Sequence, residues 1–157
     1  ENLAVFEGMT DMLSFLQVTS EEEQKKAFVG TVFGLKLDYN SSFRKGNKVS
    51  SKVKAFGKYK VGFDNVAPRI YNPNFIEGSN ISKLSTLSVS ISDALSGIDT
   101  YNAYLNGEWI LMEYDYKTKK LVHNLKDGKV ISGKNDIKIV VTDKLDNTAT
   151  FSSNFIY

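Results

Sequence analysis

The sequence contains no cysteine, and among its 157 residues there are one histidine, one tryptophan and two prolines. The missing thiols exclude a disulfide framework and a thiolate zinc site. A single histidine deprives a zinc peptidase site of its usual imidazole ligands and leaves acid–base chemistry without an oriented pair. No apolar run approaches the roughly 18 residues that cross a bilayer as a helix. Charge of one sign is lacking too. Twenty Lys and Arg stand against 18 Asp and Glu, a net charge of +2, which gives no field for steering nucleic acid. Phosphate loops, dinucleotide fingerprints and serine elbows are also missing. The chain opens ENLAVFEG, with neither an initiator Met nor a basic segment before an apolar one. Its start therefore carries no information about secretion.

What is present is β patterning. Apolar residues make up 41% and aromatics 12% of the chain, enough for a packed core. Leu87, Val89 and Ile91 alternate with Ser88, Ser90 and Ser92, the period-two signature of a half-buried strand. Ile137, Ile139 and Val141 repeat it. Asn106-Gly107 predicts a two-residue type I′ hairpin between Tyr101–Leu105 and a strand over 108–116, because both central positions of that turn need positive φ. The fold class is all-β: an Ig-like antiparallel β-sandwich of about seven strands, preceded by a smaller β-rich segment or partial domain. The expected sandwich core comprises Leu87, Val89, Ile91, Ile98, Ile110, Met112, Ile137, Ile139, Val141 and Phe155.

Val66-Ala67-Pro68 marks the boundary, since proline removes a ladder donor and forces its predecessor into extended backbone. The expected domains are residues 1–65, a β-rich N-terminal segment or partial sandwich, and residues 66–157, the Ig-like sandwich. Turns at Asn72-Pro73-Asn74 and Glu77-Gly78-Ser79-Asn80 precede the first long strand of the second domain. Upstream, Tyr59, Val61 and Phe63 share one face of a strand, and Phe28–Leu37 carries a β pattern. In residues 1–18, Met9, Met12, Leu13 and Leu16 fit helical spacing, while strands over 3–6 and 14–18 fit equally well. Ser20-Glu21-Glu22-Glu23 predicts a short helix with a serine cap and acidic residues facing the positive end of the dipole.

Three groups of residues invite a chemical reading. His123 occupies the phase opposite Val122 and is expected on the polar face of its strand. Asp64, Asp93, Asp99, Asp143 and Asp146 fall at strand ends or turns. Such carboxylates could gather around Ca²⁺, but Asp is selected at turns without any ion because it bonds backbone amides two residues on. The expected metal and cofactor content is none. Trp109, with Tyr101, Tyr104, Tyr114 and Tyr116, is a candidate sugar-stacking group, and Trp109, Tyr114 and Tyr116 are the candidate ligand-binding residues. Strict alternation sends Trp109, Leu111 and Glu113 to one face and Ile110, Met112, Tyr114 and Tyr116 to the other, so a bulge is needed for Trp109 and Tyr114 to act together.

From Gly57 onward, GKYKVGFDNVAPRI, ISDALSGIDTYNAYLNGEWILMEYD and KIVVTDKLDNTATFSSNFIY closely resemble the Ig-like C-terminal module of Bacteroidetes envelope proteins that carry a lysostaphin-type zinc metallopeptidase domain elsewhere. The resemblance covers nearly two thirds of the chain. Asp146 stands where that pattern usually has glycine, at a left-handed turn position. The resemblance implies an extracytoplasmic location, in the periplasm or at the cell surface. It also implies a noncatalytic accessory role in a cell-wall-directed, peptidase-like protein, as a positioning or interaction part. The partner is then peptidoglycan or another envelope protein, and the alternative is a glycan- or peptidoglycan-binding module using exposed aromatics. No metallopeptidase ligand transfers, because His123 stands alone.

Overall fold

The computed structural model describes residues 3–6, 13–16 and 20–157. The chain divides into two compact units, Glu1–Val66 and Ala67–Tyr157. Strands dominate both, and one short α-helix interrupts the first.

In the first unit the elements run β1 (Leu3–Phe6), β2 (Leu13–Leu16), α1 (Glu21–Lys26), β3 (Ala27–Phe33), β4 (Lys36–Asn40), β5 (Ser42–Lys45), β6 (Lys48–Ser51) and β7 (Gly57–Phe63). Where helix and strand readings competed, β1 and β2 are strands; Met9 and Met12 lie outside the described residues. The helix starts as expected: the Ser20 hydroxyl accepts from the Glu23 amide, three glutamates fill the first turn and Lys25 and Lys26 the last. It buries no side chain and ends at Ala27, which is already extended. Antiparallel strands form a sheet in the order β1-β7-β3-β4 and a second in the order β2-β6-β5. Phe15 and Val49 of the second meet Ala27, Val29 and Tyr59 of the first in a small core that also holds Val53. Val61 packs on this core beside Tyr59, whereas Phe63, at the strand end, is exposed. The β pattern over Phe28–Leu37 is broken by a turn at Gly34-Leu35, with Gly34 at φ +59° and Leu35 fully exposed. On the face away from this core, Phe28 and Leu37 sit directly over Gly30 and Gly62.

The second unit contains β8 (Arg69–Tyr71), β9 (Thr86–Ser92), β10 (Ile98–Leu105), β11 (Glu108–Ile110), β12 (Glu113–Asp115), β13 (Lys120–Asn124), β14 (Lys134–Asp143) and β15 (Thr148–Ile156), with a 3₁₀ turn at Leu125–Asp127. One sheet has the order β8-β9-β13-β12, the other β11-β10-β14-β15. Lettered along the chain as A, B, C, C′, D, E, F and G, these are the A-B-E-D and C′-C-F-G sheets of an Ig-like sandwich. The expected core is buried except for Ile98, which is only partly buried. The ladder between β10 and β14 shifts register between Ile98 and Thr100, and this irregularity takes Ile98 out of strict alternation. Ala103, Leu105, Leu121, Leu125, Ile81 and Phe75 complete the core, where Phe75 meets Phe155 edge-on at 5.7 Å.

Asn106 (φ +53°) and Gly107 (φ +84°) form the tight hairpin, with Leu105 paired to Glu108. The strand expected over 108–116 is two strands. The chain leaves β11 after Ile110, crosses at Leu111-Met112, and joins the opposite sheet as β12. Both Ile110 and Met112 point into the core while the crossing is made.

Candidate functional site

The sheet β11-β10-β14-β15 has an outward face, and its registers define what lies there. Trp109 pairs with Tyr104, Tyr104 with Lys138, and Lys138 with Ser152. Directly opposed residues share a face, so these four form one row across four strands. The next row holds Asn102, Val140 and Thr150, and the row on the other side holds Asp136 and Asn154. Trp109 is 54% exposed, and its indole Nε1 donates to Asn102 Oδ1 at 3.3 Å. That bond ties the ring to β10, the strand that carries Tyr104.

An open cleft of about 550 Å³ borders this row and is lined by Tyr104, Asp136, Lys138, Ser152, Asn154 and Glu77, among others. Its polar rim is preset. Asn154 Nδ2 donates to Glu77 Oε1 at 3.1 Å, and Lys134 Nζ lies 3.3 Å from Asp136 Oδ1. Next to the cleft, Asn106 ties the hairpin to β14: its Oδ1 accepts from the Asp136 amide at 2.9 Å and its Nδ2 donates to Asn135 Oδ1 at 2.9 Å.

The three sequence candidates do not come together. Trp109 is on the outer face of one sheet. Tyr114 belongs to the opposite sheet, where it packs on the core with its ring 5.9 Å from that of Tyr101. Tyr116 is 71% exposed on the turn after β12. Asp115 organises that turn: its carboxyl is held below the ordinary 3.8 by the Thr118 hydroxyl and then by the Lys117 amide. Trp109 and Tyr114 are separated by the crossing between sheets, not by alternation along one strand. The aromatic neighbour of Trp109 is Tyr104, and the signal for it was the hairpin itself, because a two-residue loop at 106–107 places 104 opposite 109.

His123 corrects its sequence reading. It is 2% exposed, not on a polar face. Its cross-strand partner is Leu87 and that of Leu121 is Val89. Both partners point inward, so Leu121, His123 and Leu125 follow the buried phase. The ring is fixed at Nδ1, 2.9 Å from the Leu111 carbonyl oxygen, while Nε2 lies 3.6 Å from Asp127 Oδ2.

Of the five aspartates, Asp64, Asp93 and Asp143 bond turn amides, Asp146 lies in the loop between β14 and β15, and Asp99 is exposed within β10. Asp64 Oδ1 accepts from the Val66 amide. Asp93 Oδ1 accepts from Leu95 and Gly97 amides at 3.0 and 2.7 Å. Asp143 Oδ1 accepts from Leu145 and Asn147 amides at 2.8 and 2.9 Å, and its Oδ2 accepts from Asn147 Nδ2 at 2.8 Å. Carboxylate oxygens of Asp93 and Asp143 come within 4.8 Å of each other, and the amides aimed at each offset the repulsion between like charges.

No protein-family model matches the chain, and no curated protein matches it. Among solved structures it is similar to the fibronectin(III)-like modules of Clostridium thermocellum CbhA, with 13% sequence identity and a TM-score of 0.41 over 93% of this chain and 85% of that one. The assignment of Ala67–Tyr157 as an Ig-like sandwich rests on its own strand order.

Proposed function

We propose that this chain is a noncatalytic accessory module of an extracytoplasmic, cell-wall-directed protein, in which it spaces or positions a neighbouring domain or contacts another envelope protein. The observation that carries the noncatalytic part is the employment of His123. The one imidazole of the chain is buried, its Nδ1 bonded to the Leu111 carbonyl and its Nε2 3.6 Å from Asp127 Oδ2, so among the described residues the ring is spent on holding the sheet crossing and the 3₁₀ turn. Asp93 and Asp143 are likewise committed to backbone amides. The cell-wall setting, and a parent protein of the lysostaphin-type peptidase kind, are supported by the resemblance of residues 57–157 to modules of such proteins.

The test is incubation of the purified chain with peptidoglycan sacculi, with and without zinc, followed by chromatography of the soluble fraction. No muropeptide release is expected. Zinc-dependent release would overturn the noncatalytic reading. Fractionation of cells producing the native parent protein is expected to place it outside the cytoplasm, and cytoplasmic recovery would overturn the envelope assignment. A second reading, glycan binding through aromatics, is favoured by one observation: Trp109, exposed, and Tyr104, half-buried, are cross-strand partners on an outward sheet face.

A further inference from the structure

We propose that the cleft beside Tyr104 is a saccharide-binding site that takes a chain of uncharged pyranoses, one ring packed against Tyr104 and bonded by the cleft rim, the next reaching Trp109. The inference deepens the glycan-binding reading by naming the site and the class of ligand.

Four observations converge on it. The cleft volume of about 550 Å³ lies within the roughly 300–1,000 Å³ of small-ligand sites. One wall is aromatic. The C–H face of a pyranose is apolar and faintly positive, and it complements the negative face of a phenol or indole ring. The remaining lining supplies what sugar hydroxyls need in pairs, acceptors and donors together: carboxylates at Glu77 and Asp136, an ammonium at Lys138, an amide at Asn154 and a hydroxyl at Ser152. These groups stand on β14, β15 and a turn tied to them, so their backbone positions are fixed by the sheet.

The charge pattern selects among sugars. Two carboxylates and one lysine line the cleft, and the neighbouring Lys134 is already paired to Asp136. A uronate or a phosphodiester would bring its own negative charge beside Glu77, which is held by the neutral Asn154 amide, whereas a neutral or N-acetylated pyranose brings none. The second aromatic selects for length. Trp109 is one strand beyond Tyr104 in the same row and is not among the residues that line the cleft, so the indole is left for a further ring of the chain.

The experiment is titration of the whole chain with chitohexaose, cellohexaose and, as the charged control, hexagalacturonate. Calorimetry gives affinity and Trp109 emission gives location, since the protein has one tryptophan. Saturable binding of at least one neutral hexasaccharide with a shift in Trp109 emission is expected, and binding at least tenfold weaker for hexagalacturonate. Tyr104→Ala is expected to weaken binding at least tenfold and Tyr104→Phe, which keeps the ring, less than threefold. Trp109→Ala is expected to weaken the hexasaccharide and leave the corresponding monosaccharide unchanged. Thermal melts of each variant separate loss of binding from loss of fold; for a variant that fails to fold, Lys138→Ala and Asn154→Ala, on the same rim, replace it. No binding of either neutral sugar at millimolar concentration, or binding indifferent to Tyr104→Ala, overturns the site. Preference for hexagalacturonate overturns the class of ligand. Cleavage of the oligosaccharides during titration would instead overturn the noncatalytic reading, so the two failures are distinct.

Discussion

The Nδ1 atom of His123 lies 2.9 Å from the carbonyl oxygen of Leu111, and that carbonyl belongs to the link where the chain crosses from one sheet to the other. A carbonyl only accepts, so Nδ1 carries the proton. The crossing breaks ladder pairing between Ile110 and Glu113, and His123 supplies a donor there. His123→Leu keeps much of the bulk and donates nothing. It is expected to destabilise the second unit by about 1–3 kcal/mol, read by chemical denaturation, and ¹⁵N NMR of the neutral ring is expected to show the Nδ1–H tautomer. An Nε2–H tautomer would disprove the bond.

Gly107 offers a cleaner test of backbone alone. It sits at φ +84°, and a Cβ built there meets nothing within 4 Å. The loss on Gly107→Val is therefore conformational and not steric crowding, about 1–2 kcal/mol, or roughly 4–15 °C in Tm for a unit of this size. Gly107→Asn, which tolerates the left-handed region, is expected to lose less than half as much. Equal losses for Val and Asn would show that something other than φ governs the position.

The hairpin at 106–107 and the period-two runs of β9 and β14 were legible because each is local: turn chemistry and alternation need no knowledge of partners. His123 was not legible. In Leu121-Val122-His123-Asn124-Leu125 both phases contain apolar residues, and only pairing of β13 with β9, which sets His123 against Leu87, decides the buried one. The sheet crossing at Leu111-Met112 was hidden for a related reason. Alternation continues through it, with Ile110 and Met112 both buried, so the pattern carries no mark of the change of partner. Tyr104 and Trp109 were both visible as aromatics, yet the cleft beside them was not, since Glu77 and Asn154 join it from positions 27 or more residues away from Tyr104.

In the first unit, Gly30 and Gly62 are glycine for want of room. A Cβ on Gly62 would overlap Leu37 and come within 2.7 Å of Phe28 Cζ, and one on Gly30 would also overlap Leu37. Neither glycine has the positive φ that marks a turn. Gly62→Ala is expected to cost about 1–3 kcal/mol through displaced packing. Gly57→Ala, on the same strand with its nearest neighbour at 3.8 Å, is expected to stay within about 0.5 kcal/mol. Paired denaturation curves compare them, and a stabilised Gly62→Ala would mean that Phe28 and Leu37 do not occupy that face.

The turn joining β14 to β15 contains one residue that holds it and one that strains it. Asp143 is fully buried and accepts from the amides of Leu145 and Asn147 and from the Asn147 side chain. Removing those acceptors leaves the donors unpaired, so Asp143→Ala is expected to destabilise by at least about 2 kcal/mol. Asp143→Asn keeps an oxygen for the two amides and surrenders the bond to Asn147 Nδ2, and is expected to lose less, about 1 kcal/mol. Asp146 works in the other direction. Its φ of +61° is a conformation that an L side chain pays for and glycine does not, so Asp146→Gly is expected to stabilise by roughly 0.5–1 kcal/mol. The two effects act on one loop through different physics, hydrogen bonding and backbone strain. In Asp143→Ala the amides no longer fix the loop, so the gain from Asp146→Gly is expected to shrink in the double variant. Full additivity would show that the Asp143 hydrogen bonds do not impose the left-handed turn.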